Sequence, residues 1–311
     1  TEAATFSAAT VSGVFVTEQT DLAVDATSAT VASVNTLLDG YGSTTIASVA
    51  NILTSTNGAI ILVLNTGSLT VNGPIAANGT GNILIDALAG SITANADILS
   101  DTGDITITAA SDIEFTANVN VTTAAPGTIS IDAETGTLTM AGTANVIATN
   151  SSARLNAALD VIVGNVTATN VSILSGEDIV NATGSTKNVT ATNLRLAAEG
   201  SIGTSDRHVT TNIDNVSASA NTGSIYLTED DAAVVTNVAV TVTEFNSDAT
   251  TTDITDAAQS DLTTSTNGNI VLVATAGNIT LNDGSDVDQT SVTANGTGNI
   301  LIDALAGSIT A

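Results

Sequence analysis

Residues Ala77 to Ala94 return letter for letter at Ala294 to Ala311, 217 positions further along the chain. Such an identity is an internal repeat, and a repeat is buried by stacking one supersecondary unit on the next. The second copy closes on the last residue, so the chain reads as a window of a longer repetitive protein in which a unit has begun again. A second marker agrees: Thr-Ser-Thr-Asn-Gly stands at 54–58 and again at 264–268, 210 positions apart. A superunit of roughly 210 residues is therefore expected.

Inside the repeat the apolar residues lie two apart. Gly81, Ile83, Ile85, Ala87, Gly90, Ile92 and Ala94 show the pattern, and Gly127, Ile129, Ile131, Ala133, Gly136, Leu138 and Met140 keep its spacing. Gly58, Ile60, Leu62, Gly67, Leu69 and Val71 open the series, and Gly268, Ile270, Leu272, Ala274, Gly277, Ile279 and Leu281 restart it. A period of two belongs to strands, whose side chains alternate between faces; helices need three and four. Glycine at the start of each run, and again nine positions on, suggests corners of positive φ between short strands. Successive starts at Gly58, Gly81, Gly103 and Gly127 are 23, 22 and 24 residues apart. That spacing predicts an all-β parallel β-solenoid, with coils of roughly 22–24 residues stacked about 4.8 Å apart. Ten to fourteen coils would make a rod on the order of 50 to 70 Å long.

Composition separates this fold from its main rival, a β-sandwich of short alternating strands. Aromatic residues make up 2% of the chain and there is no Trp, so the interior must be built of slim aliphatic side chains, as a narrow solenoid requires and a sandwich of this length does not. Thirty-one acidic residues against four basic ones give a net charge of -27, which repels nucleic-acid phosphates and anionic lipid surfaces. The longest strongly apolar run, Ala59 to Leu64, is far short of a spanning helix, so no membrane insertion is expected. Without cysteine there is neither disulfide nor thiol chemistry.

The expected organisation is an irregular β segment over 1–53, solenoid coils over 54–228, an acidic excursion over 229–263 that contains Asp248, Asp253, Asp256 and Asp261, and coils of the next superunit over 264–311. Val240 to Glu244 echoes Val14 to Glu18, so the irregular opening is expected to recur.

The Gly58-x-Ile60-x-Leu62 pattern and its copies at Gly81, Gly127 and Gly268 resemble the repeats of filamentous haemagglutinin-type surface proteins. They are also similar to the giant haemagglutinin-related repeat proteins of environmental bacteria. The resemblance spans most of residues 54 to 311. It implies a right-handed parallel β-helix exported to the cell surface, serving as an adhesin shaft or an extracellular fibre. The amino-terminal secretion domain of that family has no counterpart in these residues.

Few residues suggest chemistry, and no catalytic role is expected. His208 follows Ser205, Asp206 and Arg207, but neighbours in sequence do not converge as a hydrolytic triad must, and a solvated turn is the simpler reading. Lys187, Arg195, Arg207 and His208 could lie on neighbouring coils and form a basic site for an anionic sugar. Asp283, Asp286 and Asp288 supply hard oxygen ligands around a glycine and are a candidate calcium site, although their spacing fits neither the EF-hand nor the nonapeptide calcium loop. Glu229, Asp230 and Asp231 form a second acidic cluster, and no other cofactor is implied. Asn-x-Ser/Thr triplets, among them Asn78 and Asn188, are acceptors for glycosylation in a permissive compartment. The expected partners are neighbouring copies joined head to tail, with cell-surface glycans or matrix as adhesive targets of residues 1–53 and 229–263.

Overall fold

The computed structural model describes residues 4–34, 41–285 and 288–311, and every regular element among them is a β-strand. All strand pairs are parallel except two antiparallel hairpins. Each coil contributes strands to three faces. On the first face Ile52–Thr54, Ile75–Ala77 and Ile98–Ser100 stack in register; on the second, Ile60–Leu64, Ile83–Ala87, Ile105–Ala109 and Ile129–Ala133; on the third, Leu69–Val71, Ile92–Ala94, Ile113–Phe115 and Leu138–Met140. The fold is the expected parallel β-solenoid. Twelve levels stack on the third face from Thr5–Phe6 to Ile300–Ala304, which at about 4.8 Å per level makes a rod roughly 50 Å long.

Alternation puts one set of side chains in the core. Ile60, Leu62 and Leu64 are fully buried, as are Ile83, Ile85 and Ala87 directly above them. Identical or similar residues thus form ladders along the rod, and each buried aliphatic side chain contributes about 1.5–3 kcal/mol of transfer free energy. Buried hydroxyls serve the corners: Thr54, Ser100 and Thr123 donate to the carbonyls of Gly58, Gly81 and Gly103 at 2.7–2.8 Å. Asparagine ladders serve the rims, with Asn193 donating to Asn170 at 2.8 Å and Asn215 to Asn193 at 2.9 Å.

The glycines that open each coil have a different role from the one the sequence suggests. Positive φ occurs at Gly67 and Gly277 but not at Gly58, Gly81, Gly103 or Gly127. These are glycine because of close approach: a Cβ on Gly81 would stand 2.4 Å from the Gly58 carbonyl oxygen, and one on Gly103 2.2 Å from that of Gly81.

The boundaries of the irregular segments also move. Ala8–Thr10, Val14–Glu18 and Leu22–Val24 already form a coil, paired with Ile52–Thr54, Ile60–Leu64 and Leu69–Val71. Among the described residues of this segment, only the hairpin Thr27–Val34 with Tyr41–Val49 leaves the rod. Likewise Ile225–Glu229, Ala233–Val235 and Leu262–Thr264 belong to coils, so the second excursion is the hairpin Val238–Phe245 with Thr251–Gln259. Strand content cannot distinguish these cases in sequence, because hairpin and coil strands share the same period.

The superunit does not contain a whole number of coils. Ile52–Thr54 lies on the first face, but its counterpart Leu262–Thr264 lies over Ala218–Ala220 of the second. Ile60–Leu64 lies on the second face, but its counterpart Ile270–Ala274 lies over Ile225–Glu229, which rounds the corner beyond the third face: Ile225 continues the third-face column Ile179, Ile202, and Leu227–Glu229 lie over Val209–Thr211 of the first. The motif therefore advances by one face from one superunit to the next, with eight coils and one further face between its copies.

Candidate functional site

Two places concentrate what is not plain ladder: the junction where one superunit passes into the next, and the second hairpin. At the junction, Val14 to Val24 corresponds to Ile225 to Val235, each a five-residue strand ending in glutamate, then a turn and a three-residue strand. The structure thus corrects the equivalence of Val240 to Glu244 with Val14 to Glu18. Both strand-ending glutamates, Glu18 and Glu229, are fully buried. Glu229 accepts the Thr211 hydroxyl at 2.5 Å and the amides of Ile213, Asp230 and Asp231 at 3.0–3.3 Å. Burial raises its pKa, and the donors offset part of that. Glu18 accepts the Gln19 amide at 2.9 Å in the same way. These carboxylates hold the corner backbone, where a strand must end and the chain turn.

Nearby, Asn188 is wholly buried: its amide nitrogen donates to Val163 O at 2.7 Å and its oxygen accepts from Thr210 N at 2.9 Å. It is a structural tie, closed to glycosylation. His208 bonds the Thr228 hydroxyl at 2.8 Å, with its ring 5.5 Å from that of Tyr226, and burial lowers its pKa. Ser205 and Asp206 are exposed on a tight turn closed by Thr204 and Arg207, and no triad forms. Three of the four basic groups, Lys187, Arg207 and His208, share one corner, where Asn181 bonds both Arg207 and the His208 carbonyl, and Arg195 stands apart. Lys187 pairs with Asp230 and Arg207 donates to Asn181 O, both at the corner between the third and first faces. Arg195 points out of the second face and donates to Ala257 O at 3.2 Å.

Of the candidate calcium ligands, Asp286 lies outside the described residues. Asp288 is exposed and accepts the Thr290 hydroxyl and amide at 2.8 Å, which lowers its pKa. Among the described residues no group of three or more acidic or histidine side chains is gathered to hold a metal ion.

The second hairpin is folded back along the second face as a strap. Val238, Val240, Val242 and Phe245 are buried against the rod. Phe245 packs on Ile61 and Leu84, outward residues that it leaves only 5% and 4% exposed. Its amide donates to Thr106 at 2.8 Å; Thr128 bonds both the amide and carbonyl of Thr243; Ser130 donates to Glu244 at 2.8 Å. Arg154 reaches both carboxylate oxygens of Asp256 at 3.2 Å, and Gln259 donates to Leu196 O at 2.8 Å. From Ile61 to Leu196 the strap crosses seven levels, about 29 Å, close to the roughly 26 Å that an eight-residue strand spans. The sequence carries a signal of this interface: apolar residues at outward positions in Ile60-Ile61-Leu62 and Ile83-Leu84-Ile85 break the alternation.

The fold and the strap define a class, a strapped parallel β-solenoid. The chain matches no protein-family model, no curated protein and no solved structure.

Proposed function

We propose that this chain is a structural segment of an extracellular β-helical fibre or shaft of the cell surface, of the kind formed by haemagglutinin-related repeat proteins, built to be continued end to end. The observation that carries this reading is the internal junction. One superunit passes into the next with parallel pairing throughout: Val209–Thr211 carries Leu227–Glu229, Asn215–Val216 and Ala218–Ala220 carry Val234–Val235 and Leu262–Thr264, and the third face continues through the single bridges Ile179–Ile202 and Ile202–Ile225. A coil stack that absorbs its own boundary can be lengthened by whole superunits or joined head to tail to other copies, because the Ile and Ala ladders continue across the joint. The acidic surface suits such a rod, since like charge keeps neighbouring fibres apart.

Electron microscopy of the purified chain and labelling of intact source cells with an antibody to the rod test this reading. Rods that join lengthwise and a labelled cell surface are expected. Short particles that never extend, together with unlabelled intact cells, would overturn it. The second reading, an adhesin stalk, rests on the first hairpin, where Val31 and Ile46 are 54% and 57% exposed. Deleting Thr27 to Val49 should abolish binding to glycans or matrix if that reading is right. Polysaccharide cleavage has less support: Lys187 is held by Asp230, Arg195 lies on another face, and Ser205 and Asp206 are exposed on a tight turn that forms no triad with His208.

A further inference from the structure

The two hairpins are the same element in two situations. Both pair antiparallel with one irregularity at the same place: Thr27 opposes Val49 and Ala29 opposes Ile46, as Val238 opposes Gln259 and Val240 opposes Asp256. Each follows a three-residue strand that ends in valine, Leu22–Val24 or Ala233–Val235. Each precedes the strand that leads into Thr-Ser-Thr-Asn-Gly. In this correspondence Val31 stands for Val242, and Ile46 for Asp256. Yet Val242 is 1% exposed and Val31 54%.

We infer that the hairpin Thr27–Val49 is a strap for the coil stack of a further superunit joined in register ahead of Ala8, on whose second face it buries Ala29, Val31 and Ile46. The reading rests on the fibre proposal above and adds to it a clamp that each superunit places on the one before. The occupant follows from the established interface. The second hairpin lies on seven levels of the stack that precedes its own coil, and the first hairpin has the same root and the same pairing register. A separate molecule of this chain is the poorer occupant, because its matching surface, from Ile61 to Leu196, is already covered by its own second hairpin. Since the motif advances by one face per superunit, successive straps would leave the rod one face apart and wind around it.

A tandem chain tests this: residues 1–217 followed directly by 8–311, which keeps the coil register because Ala8 corresponds to Ala218. The protein has no cysteine, so a single V31C in the second unit is a unique reporter. Thiol labelling of that cysteine should be about tenfold slower or more than that of V31C in the 311-residue chain. Adding I46D to the tandem, which restores a partner for Arg154 of the preceding unit, should slow labelling further and leave the 311-residue chain unchanged. Microscopy separates the two proposals. A tandem rod longer by about 40 Å with V31C labelled as fast as before overturns the strap alone, whereas two short rods overturn the fibre reading itself. Protection of V31C that appears in the 311-residue chain as its concentration rises would overturn the covalent source.

Discussion

The hairpin at 27–49 and the hairpin at 238–259 share their root, their register and their irregular pairing, but one exposes its apolar residues and the other buries them. A hairpin of this size has too little internal burial to be stable alone. What differs is the surface beneath it. The second has seven levels of coil to lie on, with Ile61, Leu84, Thr106, Ser130 and Arg154 presented in a row by the ladder spacing. The first emerges from the opening coil of the described chain, with no such stack below it. The same element is therefore ordered by what the rod provides at long range, and its strand pairing supplies only the local part.

The largest effect that sharpens this contrast is expected from F245A, which empties the pocket over Ile61 and Leu84. It should cost about 3 kcal/mol, read as lost amide protection across 238–259 in hydrogen exchange, with the coil core little changed. D256N, which leaves the nearly buried Arg154 with only Asp132 at 3.7 Å, should cost about 2 kcal/mol in denaturant unfolding, and more in the D132N background, where no carboxylate is left to pair with the guanidinium. A strap that stays protected in both variants would break the comparison.

At the shared root, E229Q should stabilise the protein at neutral pH by about 1 kcal/mol, because the amide keeps the oxygen that accepts three backbone donors and removes a buried charge. The pH dependence has a definite sign. A carboxyl whose pKa is higher in the folded chain binds a proton on folding, so its contribution is full below the unfolded value near 4.5 and is lost as pH rises through the folded value. Asp86, which burial and the charge of Glu134 push up to about 6, acts in the same direction between about 4 and 6. Stability measured by thermal melting should therefore fall from pH 4.5 towards 7, and fall less in E229Q. The smallest effect is V31A, expected within about 0.5 kcal/mol of the parent; a larger loss would mean that the first hairpin already has a bed.

Much of this fold was legible in the sequence, and so was part of its most informative surface. Period-two ladders such as Ile83, Ile85 and Ala87 dictate strands, and coil starts 22 to 24 residues apart dictate stacking, because side-chain alternation and corner spacing are short-range constraints written into neighbouring letters. Apolar letters at Ile61 and Leu84 marked a covered face without saying what covers it. Other features depend on distant contacts. Gly81 carries no sign of whether it serves a positive φ or a close approach; only the carbonyl of Gly58 beneath it decides. Glu229 reads as one of an acidic cluster until the corner amides close around it, and nothing in the sequence marks Glu18 as its buried counterpart. The one-face advance of the superunit depends on a remainder left after eight coils, and the fate of each hairpin on the stack that happens to lie below it. By itself, the sequence determined the strand period, the coil and its repetition. The tertiary structure alone decided phase, burial of the outward residues and the strap, because each arises from chain segments brought together across a hundred residues or more.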